Sequence, residues 1–246
     1  MRGRYEGAWN VVRFNWPKYI SGLCVILVTF TCSKYFPDHK ILWVALGLIA
    51  TSMVVLPLMV SHIIYDRSPL YHMPWLREAM ETGPQRILNL NAGFDESSAI
   101  LQRRFPRSEL TVVDLYDPHL FTESSIARAR RAYPPYPGTV AANHGALPTQ
   151  AVSTDLAIAF HSLHEVRTHT GRVELLKEIR RTLTRDGHLI VTEHLRDVPN
   201  TLAFSIGVFH FHTRKSWISA FHEAGFRVAG THRTAGFITT FILLPA

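Results

Sequence analysis

A chain of 246 residues with 47% apolar and 18% charged residues is too apolar for a disordered or low-complexity polymer. Two cysteines exclude a disulfide-built scaffold, and the length allows one medium domain plus a small one. The formal charge of +7 is uneven: residues 1–65 carry six Lys/Arg against two acids, whereas residues 66–246 carry twenty against seventeen. No basic stripe with interleaved aromatics runs through the larger part, so no nucleic-acid partner is expected.

The N-terminal region reads as a membrane hairpin. Residues 41–64, ILWVALGLIATSMVVLPLMVSHII, contain no Asp, Glu, Lys or Arg, and about 20 such residues cross a bilayer core as a helix. Tyr19 to Ser33 is also uncharged, and Lys18 and Lys34 at its ends can snorkel to the interfaces. No small-residue cleavage site follows the first stretch and a second apolar stretch comes at once, which argues against a secretory signal. Arg2, Arg4, Arg13 and Lys18 precede the first helix, and Arg67, Arg77 and Arg86 follow the second. The positive-inside rule therefore predicts a two-pass protein of the inner (cytoplasmic) membrane, with both termini and the C-terminal domain in the cytoplasm. The expected partners are the lipid bilayer and, through the hairpin, other membrane proteins. Cys24 and Cys32 lie in the first helix as small apolar fillers.

Residues 66–83 read as a juxtamembrane linker, with Tyr65, Tyr71 and Trp75 suited to an interfacial aromatic belt. From residue 84 to 246, short apolar runs alternate with helical patterns, the mark of an α/β sheet with crossover helices. Strands are predicted at 86–91, 109–115, 138–143, 154–160 and 188–194, with 226–230 and 237–244 as a closing antiparallel pair. Helices are predicted at 96–105, 124–133, 171–183 and 213–226. The last has Thr213 as N-cap and Gly225 at the C′ position.

This order of elements resembles the class I S-adenosylmethionine-dependent methyltransferases over residues 84–246. The local matches are LTRDGHLIVTEH (183–194), with a turn at Asp186-Gly187, LTVVDLYDP (110–118) and FHEAGFRVAG (221–230). The resemblance implies a Rossmann-like seven-stranded methyltransferase sheet with a closing antiparallel strand, and S-adenosylmethionine as cofactor. It assigns Asp114 to the ribose hydroxyls, and Asn143 in NHGALP (143–148) to the adenine amino group. The family's acidic-x-Gly-x-Gly-x-Gly turn is here Asn89-Leu90-Asn91-Ala92-Gly93-Phe94-Asp95. Asn89 replaces the leading acid, Asn91 replaces the first glycine, Gly93 stands, and Asp95 is expected to cap the next helix. Asn89 offers no negative charge to the cofactor's ammonium group.

Ligands of open α/β sheets sit at the carboxyl ends of the strands. The strand at 154–160 ends in His161, Ser162, Leu163, His164 and Glu165, and the next ends in Glu193 and His194. His161, His164 and Glu165 are the catalytic candidates, with an imidazole as general base for a phenol, enol or thiol. His210-Phe211-His212 would place both imidazoles on one face of a strand, but neither histidine pair belongs to a longer ligand pattern and no metal is expected. Residues 198–212, VPNTLAFSIGVFHFH, are unusually apolar: they enter lipid, guide an apolar substrate, pack on a partner, or form a core-facing helix. Two functions remain open. One is a membrane-anchored methyltransferase acting on a lipophilic small molecule such as a quinone, isoprenoid, pigment or lipid. The other is an inactive accessory subunit of a respiratory or photosynthetic membrane complex.

Overall fold

The computed structural model describes residues 3–79, 83–119, 123–143 and 145–246, so Arg2, residues 80–82 of the expected linker and His144 lie outside the described residues. Helix α1 (Glu6–Phe14) was not expected from the sequence. Its free N-terminal amides are held by Asp66, whose carboxylate accepts from Gly7 N at 2.7 Å and Ala8 N at 3.0 Å. A carboxylate suits the positive end of a helix dipole.

Helices α2 (Trp16–Tyr35) and α3 (Lys40–His62) form the hairpin, and both are long and apolar enough to cross a membrane. Glycines let them approach: a Cβ on Gly22 would lie 2.6 Å from Val54, and one on Gly47 would lie 2.9 Å from the Phe30 ring. Their outer faces leave Leu27, Val28, Ile41 and Leu48 exposed.

Beyond α3 the chain makes a π-helical turn (Ile63–Arg67), a 3-10 turn (Leu70–His72) and α4 (Leu76–Ala79). This stretch is not a loose tether. Ile64, Leu70, Met73, Trp75 and Leu76 are buried with Ile87, Leu101, Ile158 and Ile190 beneath one face of the sheet. Trp75, expected in an interfacial belt, is wholly buried.

The sheet runs β3-β2-β1-β4-β5-β7-β6. Its strands are β1 (Arg86–Asn91), β2 (Glu109–Asp114), β3 (Val140–Ala141), β4 (Thr154–Phe160), β5 (Leu183–His194), β6 (Phe226–Thr234) and β7 (Ile238–Pro245). The first five are parallel, and β7 runs antiparallel between β5 and β6, as expected of the closing pair. Ala235 and Gly236 both take positive φ in the three-residue turn between Thr234 and Ile238 that joins β6 to β7. The expected turn at Asp186-Gly187 lies inside a continuous β5, where pairing with β4 shifts between Thr154 and Leu156.

Between the strands lie α5 (Ser98–Arg104), α6 (Ser124–Ala132), α7 (His169–Thr182), α8 (Val198–Phe204) followed by a 3-10 turn (Ser205–His210), and α9 (Arg214–Glu223). Thr213 caps α9 by accepting from Ser216 N, and Gly225 follows it at φ +78°. Alternate residues of the central strands face two cores. Leu88, Leu90, Ala157 and Val191 point to the side of α7 and α9, and Ile87, Ile158 and Ile190 to the side of the buried linker.

Candidate active site

The carboxyl ends of β1 and β2 carry the residues expected on the cofactor side. Asn89 is fully buried: its amide oxygen accepts from Ser97 Oγ at 2.9 Å and its nitrogen donates to Ser98 Oγ at 2.7 Å. Asn91 closes the turn, accepting from Gly93 N at 3.2 Å while donating to Val113 O at 3.3 Å. Gly93 has φ +95°, so this position requires glycine. Asp95 Oδ1 accepts from Ser97 N and Ser98 N, both at 2.9 Å, and so caps α5 as expected. Asp95 Oδ2 is buried and has no hydrogen-bond partner among the described residues.

At the end of β2, Asp114 Oδ1 accepts from Tyr116 N at 3.0 Å, and Oδ2 is ion-paired with Arg130 of α6. The Arg130 guanidinium also lies 4.5 Å from the centre of the Tyr116 ring. A Cβ on Gly93 would lie 2.7 Å from Ile126 and 3.2 Å from Arg130 Cδ, so α6 covers the loop. Asn143 stands exposed beyond β3, its amide oxygen accepting from Gly145 N at 3.1 Å. Phe94, whose place no sequence pattern marks, packs on Phe14 of α1 at 5.4 Å and on Tyr133 at 5.2 Å. Tyr133 Oη donates to Asn10 of α1 at 3.0 Å, so the N-terminal helix lies against the cofactor loop.

The ends of β4 and β5 bring the histidines together. His161 has φ +50°, a costly conformation for a side chain with a Cβ. Both of its ring nitrogens are buried without a hydrogen-bond partner among the described residues, and burial pushes its pKa down. Glu193 is wholly buried: Oε1 accepts from Leu163 N (2.9 Å) and His164 N (3.2 Å), and Oε2 lies 2.7 Å from His164 Nδ1. His164 Nε2 lies 3.2 Å from Glu165 Oε1, which His210 Nε2 also meets at 3.2 Å. Burial would lower the His164 pKa, but the Glu193 charge and the bonds to Glu165 and Glu193 outweigh it and raise it to about 10. Burial would raise the Glu165 carboxyl, but hydrogen bonds from His164 and His210 hold it well below the usual carboxylate range.

His194 faces the hairpin. Asn200 donates its amide N–H groups to Asp197 Oδ1 and Phe237 O, leaving its oxygen to accept from His194 Nδ1 at 3.0 Å. That assignment leaves Nε2 as the acceptor of the Tyr65 hydroxyl at 2.8 Å. His194 is neutral, because burial and then the nearby His161 hold its pKa well below the ordinary value. Phe211 stacks on it at 4.7 Å. His210 and His212 do not share a face: His212 turns to Arg172 Nη1 at 3.0 Å while His210 joins Glu165.

Residues 88–191 match a family model described as a methyltransferase domain. This stretch of the chain is similar to methyltransferase domains. A demethylmenaquinone methyltransferase of Thermotoga maritima is 29% identical over 140 residues, covering 56% of this chain and 55% of that protein. The chain thus spans about half the length of the curated relative it matches. Among solved structures, an S-adenosylmethionine-dependent methyltransferase of Methanosarcina mazei superposes with TM-score 0.53 at 14% identity, over 70% of this chain and 96% of that one. The mitomycin 7-O-methyltransferase MmcR gives TM-score 0.55 at 13% identity, over 100% and 74%. Likeness at this identity is a likeness of fold.

The domain and its fold imply S-adenosylmethionine as cofactor. The residues present fit it. Asp114 at the end of β2 would offer an acceptor to a ribose diol, and the unpaired Asp95 Oδ2 would offer beside the loop the negative charge that Asn89 lacks. Arg130 and Ile126 cover this place, and they belong to a helix whose arginine is over a third exposed.

Proposed function

We propose that the chain is a membrane-anchored, S-adenosylmethionine-dependent methyltransferase acting on a lipophilic acceptor, with α2 and α3 crossing the bilayer and both termini cytoplasmic. The observation that carries this reading is the 2.8 Å hydrogen bond from Tyr65, in the turn leaving α3, to His194 at the end of β5. It ties the strand ends, where such domains do their chemistry, to the foot of the hairpin. Val198, Leu202, Ile206 and Phe209, each at least 65% exposed, recur at three- and four-residue spacing on the segment that packs against α3. An apolar face there suits the bilayer interface and a substrate arriving from it. The relative's name denotes a quinone precursor as its substrate class, which agrees with a lipophilic acceptor here.

S-adenosylmethionine, when bound, supplies an electrophilic methyl group. Asp114, Asp95 and the Gly93 turn hold it, with Asn89 and Asn91 bracing that turn and Asn143 at the adenine side. The acceptor must lose a proton as it gains the methyl group, and His161 takes it. Its imidazole is neutral, buried and free of other hydrogen bonds among the described residues. His164 and Glu165, both tied to neighbours, shape the floor of the site rather than remove the proton.

Purified full chain in lipid vesicles, given cofactor with a labelled methyl group, is expected to label lipid-soluble phenols or quinols in preference to water-soluble ones. Equal labelling of both classes would remove the lipophilic acceptor. A second reading, an accessory subunit without catalysis, is favoured by one observation, the Arg130–Asp114 pair that closes the ribose position. Its sign would be co-purification in a stoichiometric membrane complex without cofactor binding.

A further inference from the structure

We propose that His164, Glu165 and His210 form a binding site for one divalent first-row transition-metal ion, of which Zn²⁺ is the best match. The inference does not rest on methyl transfer. One ligand atom from each of the three side chains lies within 4.8 Å of the others, and His164 Nε2 and His210 Nε2 both stand 3.2 Å from Glu165 Oε1. Donors at zinc bond lengths of about 2.0–2.1 Å in a tetrahedron are separated by roughly 3.3 Å, so the two 3.2 Å spacings match ligands around one ion.

The outer contacts point the same way. His164 Nδ1 lies 2.7 Å from Glu193 Oε2, and His210 Nδ1 lies 3.7 Å from Glu123 Oε1. His164 therefore turns one nitrogen to a carboxylate and the other to the common point, the arrangement that orients and strengthens histidine ligands of metals, while His210 Nδ1 also meets Arg167 Nη1 at 3.5 Å. Glu193 is itself fixed by the Leu163 and His164 amides. Two imidazoles and one carboxylate favour zinc over magnesium or calcium, and three protein ligands leave a fourth position for water or an acceptor oxygen.

The three ligands come from two places, His164 and Glu165 from the turn after β4 and His210 from the end of the 3-10 turn after α8, so a bound ion would clamp the apolar 198–210 segment onto the sheet.

The test uses tag-free full chain purified in detergent. Zn²⁺ is expected to bind at one ion per chain after dialysis, and Co²⁺ to give the strong visible absorption of a four-coordinate site. His210→Ala and Glu165→Gln should abolish both signals, and Glu193→Gln should weaken Zn²⁺ binding about 10–100-fold. Far-ultraviolet circular dichroism and thermal melting of the metal-free variants show whether each is folded, and Glu165→Gln, nearly isosteric, serves if His210→Ala is not. Less than a tenth of an ion per chain with no saturable Zn²⁺ titration would overturn the proposal. So would binding that survives in folded Glu165→Gln and His210→Ala, which would trace it to scattered surface histidines.

Discussion

Arg130 forms an ion pair with Asp114 at the carboxyl end of β2, on the carboxylate that the resemblance assigns to the ribose hydroxyls. Asp114 is buried and Arg130 is over a third exposed, so the arginine is the partner free to leave. The pair and the diol compete for one oxygen. Arg130→Ala should therefore tighten cofactor binding about fivefold, the worth of a partly exposed ion pair. Asp114→Asn should weaken it roughly tenfold or more through loss of charge-assisted hydrogen bonds. Calorimetric titration of the two variants against the parent reads both shifts.

His161 combines a strained backbone with an imidazole that has no hydrogen-bond partner among the described residues. A base in that position predicts that His161→Gln lowers kcat by about a hundredfold or more with little change in KM. His161→Gly should lose turnover equally while keeping stability within about 1 kcal/mol, because glycine accepts the positive φ. Steady-state kinetics beside urea melts separates the chemical role from the conformational one.

His194 is held neutral in the folded chain by burial, with His161, His164, His210 and the Tyr65 hydroxyl around it. In the unfolded chain it takes a proton near pH 6.5. Its contribution to stability is thus complete above that pH and declines as the pH falls toward its lowered folded value. The slope is about 1.4 kcal/mol per pH unit for one proton. Melts of the metal-free chain between pH 7.5 and 5.5 should show this decline, and His194→Gln should flatten it.

Trp75 is wholly buried between the hairpin and the sheet, together with Leu70 and Met73. Trp75→Ala should cost about 3–5 kcal/mol. A fragment beginning at residue 80 should fail to fold, whereas one beginning near residue 62 keeps these side chains. Solubility and circular dichroism of the two fragments decide the point.

The strand positions were legible because buried parallel strands show as apolar runs between helical patterns. β1 and β4 begin and end where the runs do. Asp95 as a helix cap and the β6–β7 hairpin were legible from local chemistry. The pairing of Arg130 with Asp114 was not, because it joins residues 16 apart through a helix whose rotation the sequence does not set. The same holds for α1 against Phe94 and for Tyr65 against His194, a contact 129 residues apart. The alternation His210-Phe211-His212 predicts neighbours on one face of a strand; a 3-10 turn ending at His210 sends them to different partners. The aromatic linker was read as interfacial from composition alone, which cannot tell a membrane belt from a core.

The methyl transfer proposed for the strand ends requires that this fold holds S-adenosylmethionine. Calorimetric titration of S-adenosylmethionine into the full chain in detergent tests it most directly. The account predicts saturable binding of one molecule per chain, with a Kd on the order of micromolar to sub-millimolar, weakened in Asp114→Asn and tightened in Arg130→Ala. No binding by the parent or by Arg130→Ala at about millimolar cofactor would contradict it and leave the accessory-subunit reading.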